Sequence, residues 1–431
     1  MKIKSIFTIK LLIVVSIMLT LFTSGIIAEN ENGYELEEVV VLSRHNIRAP
    51  LSTKGSVLDS ATPHTWFEWS SNASELSLRG GMLETAMGQY FRKWLISEGL
   101  MEENYRPQND EIRFYANAKQ RTIATAQYFS SGFLPVANSD IIVQIEYDKM
   151  DPVFTPKLTF VSDRYIEDAT KQMSAKLKDL TKEYDLLMDV LDFKDSDAYK
   201  NGDIKDFNED STEIVMPLDN EPNVKGALRN ATSLADALVL QYYEQSDEKT
   251  AAFGHELSIE DWEALASIKD VFTDVLYTTD LVSKNIAHPL LKEIDSELNN
   301  EDRIFSFLCG HDSNIASVLG ALNVKDYSLP DAIEKRTPIG SKVLFEKWKK
   351  GNERFIRVRL VYDSIDQLRN ISIHDLNNPP KFYTFEFEGL TPNEDGMYKI
   401  DDFLNHLEKA ISSYDRMLET YELKLPKTGI E

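Results

Sequence analysis

Six reactive side chains follow three separate apolar segments of the chain, and their types suit the transfer of a phosphoryl group. They are Arg44, His45, Arg48, Arg121, His311 and Asp312. The planar guanidinium of arginine matches phosphate oxygens with paired hydrogen bonds. A histidine can attack phosphorus to give a phosphohistidine, and a nearby acid can protonate the departing alkoxide. Because the arginines neutralise the charge on the transferring group, this chemistry needs no metal or other cofactor.

Each of these residues also has an ordinary structural explanation. Basic residues often lie at strand ends as solvated caps, and a lone histidine there is usually structural. Asp312, like Ser313 and Asn314, suits the N-cap of the helix predicted after it. Cys309, the only cysteine, is most simply a small buried core residue of the apolar segment 304–310. The six residues together point to catalysis, since no single structural need explains all of them.

The hydrophobic pattern places the six side chains at the ends of predicted strands. These strands are 36–45, 111–117 and 303–310. Amphipathic helices are predicted over 78–100, after residue 117, and after a break at 310–312. The continuous apolar run 39–42 favours a parallel strand that is covered on both faces. Ligands bind at the carboxyl ends of parallel strands in open α/β sheets, so we expect the three strand ends to converge.

The middle of the chain has a different pattern, which predicts a helical insertion. Residues 165–200 and 225–275 are helical in periodicity, with few β-branched segments between them. Three more strands are predicted between residues 341 and 390. The pattern therefore predicts an α/β sandwich with an inserted helical lobe. The expected divisions are α/β over 29–145, the lobe over 146–255, α/β again over 256–424, and a tail over 425–431.

The charge balance restricts the partners of this protein. It has 47 lysines and arginines against 71 aspartates and glutamates, a net charge of −24. A field of this sign repels nucleic acid and anionic lipid, so we expect neither as a partner. A small phosphate ester would have to bind in a local basic pocket of an acidic protein.

The first 28 residues have the pattern of an export signal. Lysines precede an apolar core of about a dozen residues, and small residues follow it. A membrane anchor is the alternative, although this core is short for a bilayer span. We expect an exported protein, either extracellular, on the cell surface or periplasmic, without membrane insertion once the signal is removed. The segment "LPKTG", residues 425–429, resembles a cell-wall sorting motif without its apolar segment and basic tail.

The segments around the reactive residues resemble the signatures of a known family. "RHNIRAP", residues 44–50, resembles the RHGxRxP signature of the histidine acid phosphatases, and "GHDSN", residues 310–314, resembles their HD motif. "YANAKQRTIATAQYF", "QYYE" and "KRTPIGSKVLFEKW" extend the resemblance to the bacterial glucose-1-phosphatases and related phytases, over about residues 35–410. Asn46 stands where most of the superfamily has glycine. The resemblance implies a phosphoglycerate-mutase-like α/β fold and a phosphoric monoester hydrolase.

The resemblance also implies a role for each site residue. His45 resembles the nucleophile, and Asp312 resembles the proton donor to the leaving group. The residues that resemble phosphate ligands are Arg44, Arg48, Arg121 and His311. Glu244, in "QYYE", stands where glucose-1-phosphatases place an acidic residue over the substrate pocket.

The implied function is hydrolysis of sugar phosphate monoesters such as glucose 1-phosphate through a phosphohistidine. The main alternative is a phytase, which would use the same residues on inositol hexakisphosphate. A carboxylate at Glu244 would repel the additional phosphates of phytate, which favours the sugar phosphate. A cytoplasmic phosphoglycerate-mutase relative is disfavoured by the export signal and the "GHDSN" motif. A non-catalytic surface binding protein is disfavoured because both His45 and Asp312 are present.

The cysteine content departs from the family pattern. Members from Gram-negative periplasms usually carry several disulfides, whereas Cys309 has no partner in the chain. A core of this size is adequate without them. The departure favours a Gram-positive or anaerobic exporter.

Overall fold

A mixed sheet of eight strands lies at the centre of the fold. The computed structural model describes residues 33–51, 55–108, 110–137, 139–208 and 211–421. The strands are β1 (Glu35–Arg44), β2 (Ile112–Ala116), β3 (Ile141–Ile142), β4 (Thr212–Val215), β5 (Asn223–Gly226), β6 (Phe305–Gly310), β7 (Lys342–Lys350), β8 (Glu353–Tyr362), β9 (Lys381–Thr384) and β10 (Tyr398–Lys399). The sheet order is β10-β8-β7-β1-β6-β2-β3, with β9 paired to β8, while β4 and β5 form a separate hairpin.

Helices cover the sheet and fill the middle of the chain. The α-helices are α1 (Leu78–Ser97), α2 (Gln120–Phe133), α3 (Asp163–Ser174), α4 (Thr181–Val190), α5 (Asp197–Lys200), α6 (Ala227–Glu244), α7 (Glu248–Ala251), α8 (Ile259–Tyr277), α9 (Asp280–Ile286), α10 (His288–Leu298), α11 (Asp312–Ala321), α12 (Ile365–Asn370) and α13 (Ile400–Thr420). Short 3₁₀ turns lie at Val57–Asp59 and Phe193–Asp195. None of the helices described here is long and apolar enough to cross a membrane. The predicted export signal and the "LPKTG" segment lie outside the described residues.

The apolar run of β1 is buried on both of its faces. Val39 and Val41 pack in a cluster with residues of α1 and α2, whereas Val40 and Leu42 pack with residues of α10, α11 and α13. All four side chains are fully buried. A covered strand with no solvent face explains why this run does not alternate with polar residues. The predicted α/β class is confirmed, and the predicted strands and helices around the reactive residues are present with slightly shifted ends.

Three parallel strands bring the reactive segments to the same edge of the sheet. β1 and β2 both pair with β6, with Arg44 opposite Gly310 and Ala116 opposite Cys309. The three strands therefore end at nearly the same level. β7 and β8 continue the sheet on the other side of β1 in antiparallel pairing. The expected convergence of the three strand ends is confirmed.

The first helical stretch of the middle region consists of several short helices. Residues 165–200, whose pattern is helical, form α3, α4 and α5. Asp192, two residues after the end of α4, has a φ of 47°. This left-handed backbone conformation cannot continue a helix.

A hairpin that the sequence pattern did not indicate precedes α6. Its strand β5 ends at Gly226, which has a φ of +82°. A Cβ at this position would lie 1.9 Å from the carbonyl oxygen of Ser211, so the backbone approach requires glycine. α6, α8 and residues of α4 share one apolar cluster, which extends beyond residue 255. The predicted divisions at 145 and 255 stay predictions.

A buried ion pair connects the sheet to α1 beneath the edge where β1 ends. Lys342 Nζ lies 2.9 Å from Glu84 Oε1, and both side chains are fully buried. The same Glu84 oxygen accepts a hydrogen bond from Asn46 Nδ2 at 2.8 Å. Burial raises the pKa of Glu84, while Lys342 and Asn46 act to lower it. The pair therefore ties the segment that follows β1 to a helix of the scaffold.

Replacing Lys342 by methionine should lower the free energy of unfolding by about 3–5 kcal/mol at pH 7, because it leaves a buried carboxylate unpaired. The folded variant would bind a proton at Glu84 more readily than the unfolded chain does. The loss should therefore shrink as the pH falls towards 4. Urea unfolding at both pH values measures this difference.

The control is the double variant Glu84→Gln/Lys342→Met, which keeps a hydrogen-bond acceptor for Asn46 but carries no charge at either position. It should recover most of the lost stability at pH 7. If Lys342→Met were equally destabilised at both pH values, the unpaired charge of Glu84 would not be the cause of the lost stability.

Candidate active site

The ends of β1, β2 and β6 open into a cavity of about 330 Å³. Its ionisable lining residues are His45, Arg48, Arg121, Glu221, Arg229, Asp236, Lys269, Tyr277, His311 and Asp312. The sheet edge supplies the histidines and two of the arginines, while the β4–β5 hairpin, α6 and α8 supply the facing wall. Three other cavities among the described residues are larger, about 450, 980 and 460 Å³, but none of them is lined by a histidine. The predicted chemistry therefore belongs to this smaller cavity.

His45 is held as a neutral imidazole with a defined proton position. Its Nδ1 lies 2.9 Å from the carbonyl oxygen of Asn46. A carbonyl oxygen can only accept a hydrogen bond, so Nδ1 must carry the proton. Burial, followed by the positive charge of Arg121, holds the pKa of His45 well below its usual range. Nε2 therefore keeps a free lone pair, which is the form that a nucleophile requires.

Arg44 and Arg48 are oriented by carboxylates. Arg44 is almost fully buried and donates from Nη1 to Glu334 Oε1 at 2.7 Å, and also to the carbonyl oxygen of Thr337. Arg48 donates from Nη2 to Asp236 Oδ2 at 2.9 Å. Burial would lower the pKa of Arg44, but the nearby carboxylates outweigh it and raise that pKa. Arg44 is therefore charged, and the ion pairs with Glu334 and Asp236 fix both guanidiniums in position.

One donor of each arginine remains without an acceptor. The Nε atoms of Arg44, Arg48 and Arg121 are buried and have no hydrogen-bond partner among the described residues. Burial and the charge of Arg48 lower the pKa of Arg121 to about 10. Unsatisfied buried donors are rare in folded proteins, and those of a guanidinium have particular affinity for an anion. Arg48 and Arg121 line the cavity, and their donors suit an anion bound there.

His311 lies across from His45 at the end of β6. The two ring centroids are 5.6 Å apart, with the ring planes at 70°. Arg121 Nη2 lies 3.5 Å from His311 Nδ1. Burial and the charge of Arg121 hold the pKa of His311 well below its usual range. The structure therefore brings together all six residues that the sequence singled out.

Asp312 begins α11 but is not its N-cap. The N-cap is His311, so the prediction that the cap is Asp312, Ser313 or Asn314 is wrong. Asp312 Oδ2 lies 3.1 Å from Lys269 Nζ and 3.5 Å from Arg44 Nη2. Partial burial would raise the pKa of Asp312, but Lys269 and Arg44 outweigh it and hold the pKa well below the usual range. Asp312 is therefore an ionised carboxylate that faces the reactive groups.

Lys269 is a central residue that the sequence analysis missed. It reaches from α8 of the helical region to Asp236 at 2.6 Å, Asp312 at 3.1 Å and Glu334 at 3.8 Å. It is mostly buried, with 13% of its side chain exposed. In the sequence it lies within an ordinary amphipathic helix, with no neighbouring motif to distinguish it.

Glu244 does not lie at the cavity, so the position predicted for it is wrong. Its Oε2 accepts a hydrogen bond from Ser77 Oγ at 2.7 Å, where Ser77 caps α1. Asp236, eight residues earlier on α6, is the residue of this helix that pairs with Arg48. Eight residues correspond to about 12 Å along a helix axis, which accounts for the separation.

Glu221, in the turn between β4 and β5, is an acidic residue on the facing wall, as is Asp236 on α6. It accepts a hydrogen bond from Tyr277 Oη at 3.3 Å. Burial raises the pKa of Glu221. No sequence motif indicated this residue, because its turn lies in a region that was interpreted as helical.

The described residues contain no group of three or more histidine, cysteine, aspartate or glutamate side chains with the geometry of a metal site. Independence from metal ions stays a prediction.

Comparisons with known proteins agree with this geometry. Residues 35–363 match the family model described as histidine phosphatase superfamily (branch 2). A glucose-1-phosphatase of Providencia rettgeri is 37% identical over 89% of this chain and 94% of its own, and one of Salmonella typhimurium is 36% identical over 88% and 93%. The structure of a phytase from Citrobacter braakii superposes with a TM-score of 0.79 at 27% identity, over 89% of this chain and 98% of that one. The chain therefore belongs to branch 2 of the histidine phosphatase superfamily and is a histidine acid phosphatase, a hydrolase of phosphoric monoesters.

Proposed function

We propose that the protein hydrolyses sugar phosphate monoesters such as glucose 1-phosphate through a phosphohistidine on His45. The observation that carries the proposal is the set of three buried guanidinium Nε donors without acceptors around a neutral imidazole. Such a site is complementary to a phosphate group with an in-line nucleophile. The similarity to two glucose-1-phosphatases supports the substrate class.

In the first step, the ester phosphate binds to the guanidiniums of Arg44, Arg48 and Arg121 and to His311. His45 Nε2 then attacks phosphorus, so that a P–N bond forms while the P–O bond to the sugar breaks. Asp312 passes a proton to the departing alkoxide, whose basicity would otherwise slow its release.

Asp312 is ionised in the free protein, so its proton must come from elsewhere. The bound monoanionic ester carries one, and the negative charge of the phosphate also offsets the cations that keep the pKa of Asp312 low. Substrate binding therefore protonates Asp312 when the acid is needed. In the second step, Asp312 accepts a proton from water, the water oxygen attacks phosphorus, and the P–N bond to His45 breaks. The phosphate leaves with the proton that Asp312 took up, which returns Asp312 to its ionised form.

Glu221 takes the substrate-selecting role that the resemblance had suggested for Glu244. A carboxylate on the facing wall accepts hydrogen bonds from sugar hydroxyls, each of which contributes on the order of 1.5–3 kcal/mol when one partner is charged. The same carboxylate repels additional phosphate groups. This arrangement favours a sugar monophosphate over inositol hexakisphosphate.

Export to the extracellular space, the cell surface or the periplasm is part of the proposal. Its support is the pattern of residues 1–28, with positive charge before an apolar core. The net charge of −24 supports the further proposal that nucleic acid is not a partner.

Replacing Asp312 by asparagine should slow the hydrolysis of glucose 1-phosphate at least about a hundredfold, in line with the usual contribution of a general acid. The hydrolysis of an aryl phosphate should slow much less in the phosphorylation step, because a phenolate leaves without protonation. The measurement is kcat/KM for both substrates, since this constant covers steps only up to the first irreversible one. Equal losses on the two substrates would show that Asp312 is not the acid.

Wild-type kcat/KM should be higher for glucose 1-phosphate than for phytate. Glu221→Gln should lower kcat/KM for glucose 1-phosphate about tenfold, from a weakened hydrogen bond, and should raise the ratio of phytate to glucose 1-phosphate. Glu244→Gln is the matched control, and its ratio should equal that of the wild type. A wild-type preference for phytate would identify a phytase instead. A change with Glu244→Gln but not with Glu221→Gln would contradict the assignment of the selecting residue.

A further inference from the structure

Asn117 is a fully buried residue directly after β2 that contacts the ring of His311. Its Nδ2 lies 2.7 Å from His311 Nε2. Its backbone N–H donates to the carbonyl oxygen of Cys309 at 3.0 Å, which fixes the main chain to β6. The side chain of Asn117 therefore extends from a rigid strand end to a ring nitrogen of His311.

The orientation of the Asn117 amide follows from its other contacts. Its Oδ1 accepts hydrogen bonds from two backbone N–H groups, those of Ala118 and Asp151, both at 2.9 Å. Backbone N–H groups can only donate, so the atom that they share must be the oxygen. The second hydrogen of Nδ2 points to Met150 Sδ at 3.2 Å, a weak acceptor. The reverse orientation would place an NH₂ group against two donors.

The amide in turn determines the proton position on His311. An NH₂ group can only donate, so His311 Nε2 must accept and hold a lone pair. The neutral ring then carries its only proton on Nδ1. Arg121 Nη2 is also only a donor and points to Nδ1, but at 3.5 Å against 2.7 Å for the Asn117 contact, so the shorter contact decides which nitrogen accepts. Arg121 Nη2–H and His311 Nδ1–H cannot hydrogen-bond to each other, but both can donate to the same anionic oxygen.

We propose that Asn117 is a positioning residue that keeps His311 neutral and protonated on Nδ1, so that His311 donates to a phosphate oxygen without carrying charge. The part concerning phosphate rests on the proposed function, whereas the proton position rests on the hydrogen bonds of Asn117 alone. An imidazolium would place an N–H on Nε2 against the Asn117 amide.

The charged groups around His311 also favour its neutral form. The ionisable groups that face it are His45, Arg48, Lys119, Arg121 and Asp312. Three of these are permanently or usually cationic, which disfavours another positive charge on the ring. Phosphate binding by this residue therefore does not require the ring to be protonated on both nitrogens.

The direct test is the ¹⁵N spectrum of the histidine rings in the wild-type protein between pH 5 and pH 8. Comparison with His311→Gln identifies the signals of ring 311. The expected result is a protonated Nδ1 and an unprotonated Nε2 across the whole range. The Nε2–H form, or an imidazolium at pH 5 to 6, would overturn the proposal. This result needs no other variant to fold.

The second test replaces Asn117 by aspartate, which can still accept from Ala118 and Asp151 but presents a carboxylate to His311 Nε2. That carboxylate draws a proton to Nε2 and raises the pKa of His311. Above the raised pKa, Nδ1 becomes a lone pair that faces the phosphate. The measured quantity is the inhibition constant of inorganic phosphate for the variant divided by that for the wild type. This ratio should rise about tenfold from pH 5 to pH 8, because the variant loses one hydrogen bond to the anion.

Asn314→Asp is the matched control, because Asn314 Oδ1 accepts from the backbone N–H of His311 at 2.9 Å and so bonds to its main chain. Its ratio of inhibition constants should stay constant with pH. A flat ratio for Asn117→Asp would overturn the proposal. If the wild-type protein shows the expected ring protonation but no phosphatase activity, the proposed function fails and the proton position stands.

Discussion

The concentration of positive charge in one buried cavity is the constraint on which the rest of the site depends. Arg48 lies close enough to Arg121, and Arg44 close enough to Lys269, that each acts to lower the pKa of the neighbouring cation, and in a medium of low polarity such charges repel strongly. Carboxylates offset this repulsion from two sides. Glu334 pairs with Arg44 from the α/β part, and Asp236 pairs with Arg48 and Lys269 from α6. The helical region therefore completes the electrostatics of the site as well as its wall.

The same positive charges determine the protonation state of His45 and His311. Both rings are buried among cations, so each is neutral, and a hydrogen-bonded neighbour then selects which nitrogen holds the proton. The carbonyl oxygen of Asn46 leaves the lone pair of His45 on Nε2, the proposed nucleophile, and the amide of Asn117 leaves the proton of His311 on Nδ1, the proposed donor. Both rings, 5.6 Å apart, therefore carry their proton on Nδ1. Their proposed roles differ because His45 offers the lone pair of Nε2 to the phosphate, whereas His311 offers the N–H of Nδ1.

The sequence predicted the part of the site that lies on strands and missed the part that lies on the helical region. Arg44, His45 and His311 follow continuous apolar runs, and parallel strands in register bring such ends together, so pattern alone was sufficient. Lys269 and Glu221 come from a helix and a hairpin turn whose packing against the sheet is long-range, and local periodicity contains no information about that packing. Glu244 was misplaced for the same reason. Residues on one helix share a sequence neighbourhood, but about 12 Å of rise separates Glu244 from the cavity residue Asp236.

The central claim is that phosphoryl transfer passes through His45 at Nε2. The most direct measurement is mass spectrometry and ³¹P NMR of the protein quenched in alkali during turnover of glucose 1-phosphate, since phosphohistidine survives alkali better than acid. The account predicts one phosphoryl group on residue 45, bonded to Nε2, because Nδ1 is occupied by its hydrogen bond to the Asn46 carbonyl. A phosphoryl group on Nδ1 of His45, on His311, or on no residue during active turnover would contradict it.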